Sequence, residues 1–194
     1  MNDKTMFNLT YGLFVLTASL DGKDNGCIIN TAGQVTAVPN RISIAVNKSN
    51  FTHDMILASG KFNVSILSEE ADFSIFKRFG FQSGRDVNKF DGYEHAVRGE
   101  NGIYYVTEGT NGFISAQVEG VTDMDVLSDI PSTTYTYYQN HIKPKPLPKT
   151  ESEKGVTIWR CRICGYEYKG DVLPDDFICP ICKHPASDFE KITG

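Results

Sequence analysis

Over its first 142 residues the chain sets short runs of β-branched and aromatic residues between Gly, Asn and Asp. That punctuation predicts an antiparallel, mainly β domain. The predicted strands are Gly12–Ser19, Gly26–Gln34, Arg41–Val46, Phe62–Ile66, Ile103–Glu108, Phe113–Glu119 and Thr133–Tyr138. A barrel is the expected closure, because it removes exposed strand edges. Two short helices interrupt the strands. One is expected between Asn50 and Gly60, with Thr52 as N-cap and Gly60 as stop, and a second opens at Ser68-Glu69-Glu70 and runs to about Phe79.

The pattern breaks at Lys143-Pro-Lys-Pro-Leu-Pro-Lys-Thr-Glu-Ser-Glu-Lys, where proline alternates with charge and only Leu147 is apolar. Residues 143–157 read as a linker. Proline-rich chain extends by about 3.1 Å per residue, so these dozen residues reach on the order of 35 Å. The expected organisation is a large domain at 1–142, the linker, and a small domain at 158–194.

Composition narrows the functional classes. In 194 residues, 19 basic side chains face 24 acidic ones, a net charge of -5 without a basic cluster, so nucleic acid is not the expected partner. The apolar runs fall well short of the roughly 18 residues of a membrane span. Tyr11 to Ala18 has the apolar character of a short leader, but Asp3 offsets Lys4 and the basic flank is missing, so a buried first strand is the expectation.

Chemistry concentrates at the end of the chain. Cys27 stands alone, whereas Cys161, Cys164, Cys179 and Cys182 form two C-x2-C pairs separated by fourteen residues. That spacing puts two thiolate pairs on two tight turns around one tetrahedral ion; the fifth, odd cysteine argues against the alternative of a disulfide framework. The small domain is also shorter than the roughly 40 residues a hydrophobic core alone can hold, so an ion is needed for stability. Gly165 suits a turn with positive φ, Pro180 stiffens the second loop, and Trp159, Tyr166, Tyr168, Phe177 and Phe189 supply a miniature core. His184 is read as a surface histidine near a complete ligand shell.

The runs Trp159-Arg-Cys-Arg-Ile-Cys-Gly-Tyr-Glu-Tyr, Leu-Pro-Asp-Asp-Phe-Ile-Cys-Pro-Ile-Cys and Ala-Ser-Asp-Phe-Glu-Lys resemble rubredoxin. The resemblance implies one iron held by four cysteines and cycling as a one-electron carrier. The short middle is similar to rubredoxin modules fused to other redox domains. Spacing alone does not separate iron from zinc, since both accept tetrahedral sulfur.

In the large domain no zinc-protease, P-loop or dinucleotide glycine motif is present, so chemistry is expected from a cofactor. Asn25 to Asn40 reads as a strand followed by a polar, glycine-bearing stretch suited to a flat heteroaromatic ring. Lys48, Ser49 and Thr52 precede a helix whose free N–H groups favour an anion. Together these suggest a mononucleotide. For Lys48 alone a solvated surface role is the competing reading. These segments, with Phe79-Gly-Phe-Gln-Ser-Gly-Arg-Asp-Val-Asn-Lys-Phe, resemble the flavin reductase-like FMN-binding split-barrel family over most of residues 1–142. The resemblance implies isoalloxazine and ribityl contacts from Asn30, Thr31, Gln34 and Thr36, through side chain or backbone. It implies phosphate contacts from Lys48, Ser49, Thr52 and His53, and a homodimer with FMN near its interface. Cys27 is expected to pack as a small hydrophobe. Arg85, Asp86 and Lys89 are expected in structural pairs or loop contacts. No side chain is assigned as catalytic.

Taken together, the two halves resemble the high-molecular-weight rubredoxins. That implies hydride transfer from NAD(P)H to FMN, single-electron transfer to iron, and a terminal acceptor such as a flavodiiron protein reducing nitric oxide or dioxygen in the cytoplasm. Two alternatives stand beside this: a flavin domain carrying a structural zinc ribbon as an interaction module, and a sensor of flavin or redox state without NAD(P)H turnover.

Overall fold

The computed structural model describes residues 9–118, 120–144 and 157–192. The larger part is built on an antiparallel five-stranded sheet in the order β2-β1-β5-β8-β9. Its strands are β1 (Phe14–Leu20), β2 (Lys23–Ile29), β5 (Lys61–Leu67), β8 (Thr110–Gln117) and β9 (Gly120–Val126). The hairpin β3 (Ala32–Ala37) and β4 (Asn40–Ile44) leaves the β2 edge and leans against β9 at the opposite edge. The barrel therefore closes by packing instead of by a continuous ladder. At that seam a Cβ on Gly120 would stand 3.3 Å from the Asn40 carbonyl, and its φ of 146° suits glycine.

Both faces of the central sheet are covered, which is why the chain from Leu13 to Leu16 reads as an unbroken apolar run. Leu16, Cys27, Ile29, Phe62, Val64 and Ala116 fill the barrel interior, with Ile42 and Ile44 from β4 and Ile56 from α1 (Phe51–Ser59). On the outer face Leu13, Val15 and Leu67 pack under α2 (Phe73–Gly80), which contributes Ile75, Phe76 and Phe79. The same face carries a polar row. Thr17 and Asn63 donate to backbone carbonyls of the hairpin β6 (Ala96–Arg98) and β7 (Tyr104–Val106), and Ser65 Oγ accepts from Val106 N at 2.8 Å. These buried side chains satisfy strand groups that no neighbouring strand reaches.

Several boundaries differ from the sequence expectation. The single strand expected over Gly26–Gln34 is two strands, broken at Asn30-Thr31. β9 was not expected: Asp123 and Asp125 alternate with apolar residues on a mostly exposed edge, which weakens its strand pattern. Thr133–Tyr138 is not a strand. Thr134 Oγ1 accepts from Tyr137 N and caps the short helix α3 (Tyr135–Tyr137), which passes into a π-helical turn, Tyr138–Ile142. Asn50, not Thr52, caps α1, and Gly60 ends it with φ 68°, as expected. Asp72, not Ser68, opens α2, because Ser68 is held in a bridge to Ser132.

The small domain is an antiparallel sheet in the order β11-β10-β12, from β10 (Ile158–Cys161), β11 (Glu167–Lys169) and β12 (Phe189–Ile192). Phe177 stands edge-on to Phe189 at 5.4 Å and tilts against Tyr168 at 4.8 Å, and Trp159 Nε1 donates to the Gly170 carbonyl. The expected aromatic core is therefore assembled, and Phe81, just beyond α2, packs against it from the large domain. Most of the expected linker lies outside the described residues. Among the described residues no helix is long and apolar enough to cross a membrane.

Candidate functional site

Two turns of related geometry present the four cysteines. In the first, Gly165 N donates to the Cys161 carbonyl and Gly165 has φ 78°; in the second, Lys183 N donates to the Cys179 carbonyl and Lys183 has φ 61°. The four Sγ atoms lie within 4.8 Å of one another, with Cys161–Cys182 and Cys164–Cys179 each at 3.5 Å. A metal–sulfur bond of about 2.3 Å requires tetrahedral sulfur edges of about 3.8 Å, whereas a disulfide requires about 2.05 Å. The cage is built for one ion.

Its electrostatics agree. Burial pushes the Cys164 thiol up to about 11, against the pull of the Tyr166 amide, and also raises Cys182. At Cys179 burial acts upward but is outweighed by the amides of Cys182 and Ile181, which bring the thiol down. Four buried sulfurs ionise together only around a cation. Tetrahedral sulfur suits iron and zinc alike. His184 turns Nδ1 to the Cys182 carbonyl at 3.0 Å and is not part of the cage.

The second turn also faces the large domain. A cleft of about 390 Å³ is lined by Asn47, Ser49, Asn50 and Phe51 at the start of α1, by Phe79 to Gly84, by Cys27 and Lys89, and by Cys182, Lys183 and His184. That volume falls within the range of small-molecule sites, roughly 300–1,000 Å³. Two cations stand over the ring of Phe51 in the cleft wall. Arg85 pairs with Asp54 at 2.6 Å and lies over the Phe51 ring at 4.8 Å, and Lys23 lies over the same ring at 4.7 Å. Positive side chains around the positive end of α1 fit a phosphate-bearing cofactor.

Residues 6–144 match the model of the flavin reductase like domain. The chain belongs to that family. Residues 159–190 match the rubrerythrin, rubredoxin-like domain. Among relatives of this flavin reductase-like chain, the high molecular weight rubredoxin of Moorella thermoacetica is 33% identical over 99% of this chain and all of that protein. The ferric-chelate reductase (NAD(P)H) of Archaeoglobus fulgidus is 34% identical over 77% of this chain and 95% of that protein. Among solved structures, the Streptomyces globisporus NADH:FAD oxidoreductase SgcE6 superposes with a TM-score of 0.60 at 18% identity, covering 68% of this chain and 84% of that one, a likeness of fold.

Within this flavin reductase fold the residues singled out from the sequence are not all brought to one place. Ser49 lines the cleft, with its hydroxyl on Asn47 Oδ1 at 2.9 Å. Lys48 is exposed beside it. His53 reaches Asp54 at 3.1 Å. Thr52 is fully buried and accepts from Asn25 Nδ2 at 3.0 Å, so its hydroxyl points inward. Asn30 and Thr31 sit at the β2–β3 break, where Thr31 donates to the Ala45 carbonyl. Thr36 donates to the Pro39 carbonyl at the hairpin tip. Gln34 lines a second cavity of about 350 Å³ under the hairpin, together with Phe14, Arg41 and Met124. Cys27 is buried, which raises its thiol.

Lys89 carries more than a loop contact. It is 3% exposed, and its ammonium donates to the Gly26 carbonyl at 2.8 Å and the Phe79 carbonyl at 3.0 Å, tying β2 to the end of α2 beneath the cleft. Gly84 is equally specific: a Cβ there would fall 2.0 Å from Asn25 Oδ1. Neither role has a local sequence signal beyond the glycine itself.

Proposed function

We propose that this oxidoreductase takes a hydride from NAD(P)H onto FMN and passes the electrons singly to an iron held by Cys161, Cys164, Cys179 and Cys182. The observation that carries the reading is that Cys182 and the start of α1 line one cleft. Flavin, when bound, exchanges electrons in pairs or singly, and iron exchanges them singly. The chain's own residues bind and orient. Ser49, Lys48 and His53 at the positive end of α1 hold the phosphate, with Arg85 alongside. On the resemblance, Asn30, Thr31, Gln34 and Thr36 are the residues we assign to the ring and ribityl chain, with Thr31 and Thr36 acting through the backbone or as acceptors, because their hydroxyls donate to the Ala45 and Pro39 carbonyls. Thr52 acts from beneath, fixing Asn25. The Cys27 thiol, raised by burial, stays protonated at neutral pH and adds no negative charge to the cleft. The Archaeoglobus relative is named for NAD(P)H, which supports a nicotinamide donor.

Val35 and Val38 on the β3–β4 hairpin, Val118, and Met124 and Val126 on β9 are exposed apolar residues near one edge of the barrel. This supports a homodimer. The acceptor we assign is a flavodiiron protein reducing nitric oxide or dioxygen in the cytoplasm, on the resemblance to fused rubredoxins; 1–142, 143–157 and 158–194 are the functional units.

Absorbance and rapid mixing test the reading. Freshly purified protein is expected to carry flavin and ferric-thiolate bands, and both are expected to bleach when mixed with NADH or NADPH. Flavin bands accompanied by stoichiometric zinc, or bands that persist on a catalytic timescale, overturn it.

A further inference from the structure

Lys183 occupies the left-handed backbone region, φ 61°, at the place where the first cysteine turn has Gly165 at φ 78°. A glycine there avoids the steric cost that an L side chain meets. This chain instead keeps a long cation on the turn, and the side chain is exposed. Lys183 and the neighbouring His184 line the cleft that Asn47, Ser49, Asn50 and Phe51 line from the opposite domain. Phe81 at the end of α2 packs on the metal domain's core and sets the two domains against each other.

We infer that the second cysteine turn completes the flavin site from within the same chain, with Lys183 as the cation that closes on the cofactor's phosphate. The inference rests on the reading that the cleft takes FMN. A phosphate at the start of α1 then meets Ser49 from one domain and Lys183 from the other, both on the cleft wall, so binding of the cofactor and seating of the metal domain reinforce each other. Reciprocity follows from linkage: the factor by which seating of the metal domain tightens the cofactor equals the factor by which bound cofactor favours the seated state. Lys183 is a binding residue by this argument, and Cys182, on the same cleft, is carried to the cofactor by the same contact.

The test compares full-length wild type, Lys183→Gly and Ser49→Ala, stripped of flavin and loaded with metal, by fluorescence titration with FMN and with riboflavin, which lacks the phosphate. Glycine suits the turn's backbone, so Lys183→Gly is expected to hold one metal per chain, checked by elemental analysis. It is expected to bind FMN about tenfold more weakly, the scale of one charge-assisted contact, and riboflavin as wild type does. Unchanged FMN affinity in Lys183→Gly, alongside weakened affinity in Ser49→Ala, overturns this inference alone. Equal loss for FMN and riboflavin also overturns it, because the lysine would then act elsewhere than on the phosphate. FMN binding unaffected by Ser49→Ala overturns the cleft reading and the inference with it.

Discussion

The ammonium of Lys89 gives the large domain a pH dependence that can be worked out in advance. Burial pulls this lysine from its ordinary 10.5 down to about 8. Between those values the unfolded chain binds a proton that the folded chain has released, so stability rises with pH across the interval and is flat below it. For one such group, the gain from pH 7 to pH 10 is about 2–3 kcal/mol. Lys89→Met keeps most of the side-chain volume and removes the titration. It is therefore expected to lose that rise, whatever it does to stability at pH 7, where the lost donations to the Gly26 and Phe79 carbonyls oppose relief of the buried charge. Urea unfolding followed by far-ultraviolet dichroism at pH 7 and pH 10 measures both proteins. With a slope of about 2 kcal/mol per molar urea, the wild-type midpoint is expected to move up by about 1 M relative to the variant's. Identical pH dependence in the two proteins refutes the account of a charged lysine held under the cleft.

Three further substitutions separate the parts of the site. Cys179→Ser removes one cage ligand and is expected to abolish stoichiometric metal binding; flavin is expected to remain bound, weakened no more than in Lys183→Gly, as metal analysis and flavin titration will report. Gly84→Ala forces a methyl group onto the buried Asn25 amide and is expected to cost about 1–3 kcal/mol by chemical denaturation, with weaker flavin binding as the cleft wall shifts. Asn50→Ala deletes the cap of α1 and is expected to cost about 1 kcal/mol, with FMN affinity falling more than riboflavin affinity.

The metal cage was legible because its information is local: two C-x2-C pairs fold into turns whose amides and sulfurs lie within a few residues of one another. α1 was legible for the same reason, although its cap was misplaced by two residues, since Asn50 and Thr52 are both good capping residues and only the bond to Thr52 N distinguishes them. Thr133–Tyr138 misled because Thr and Tyr favour strands by composition, while the Thr134 hydroxyl turns the chain into a helix. β9 was missed because an exposed edge strand needs few apolar residues. Lys89 and Gly84 were beyond a local reading altogether. Their partners, Gly26 and Asn25, lie some sixty residues away in sequence and are adjacent only once the α2–β6 connection has folded back over β2.

Phe81 answers to two cores at once. Its ring tilts against Phe73 of α2 at 5.8 Å while packing on the cysteine domain. Excising the last 37 residues would therefore strip one wall from their aromatic cluster as well as cut a tether. Transplanting them onto another carrier preserves the sulfur ligands but not the surface against which they are seated. For engineering, the portable unit is the cysteine segment together with the end of α2 that receives it.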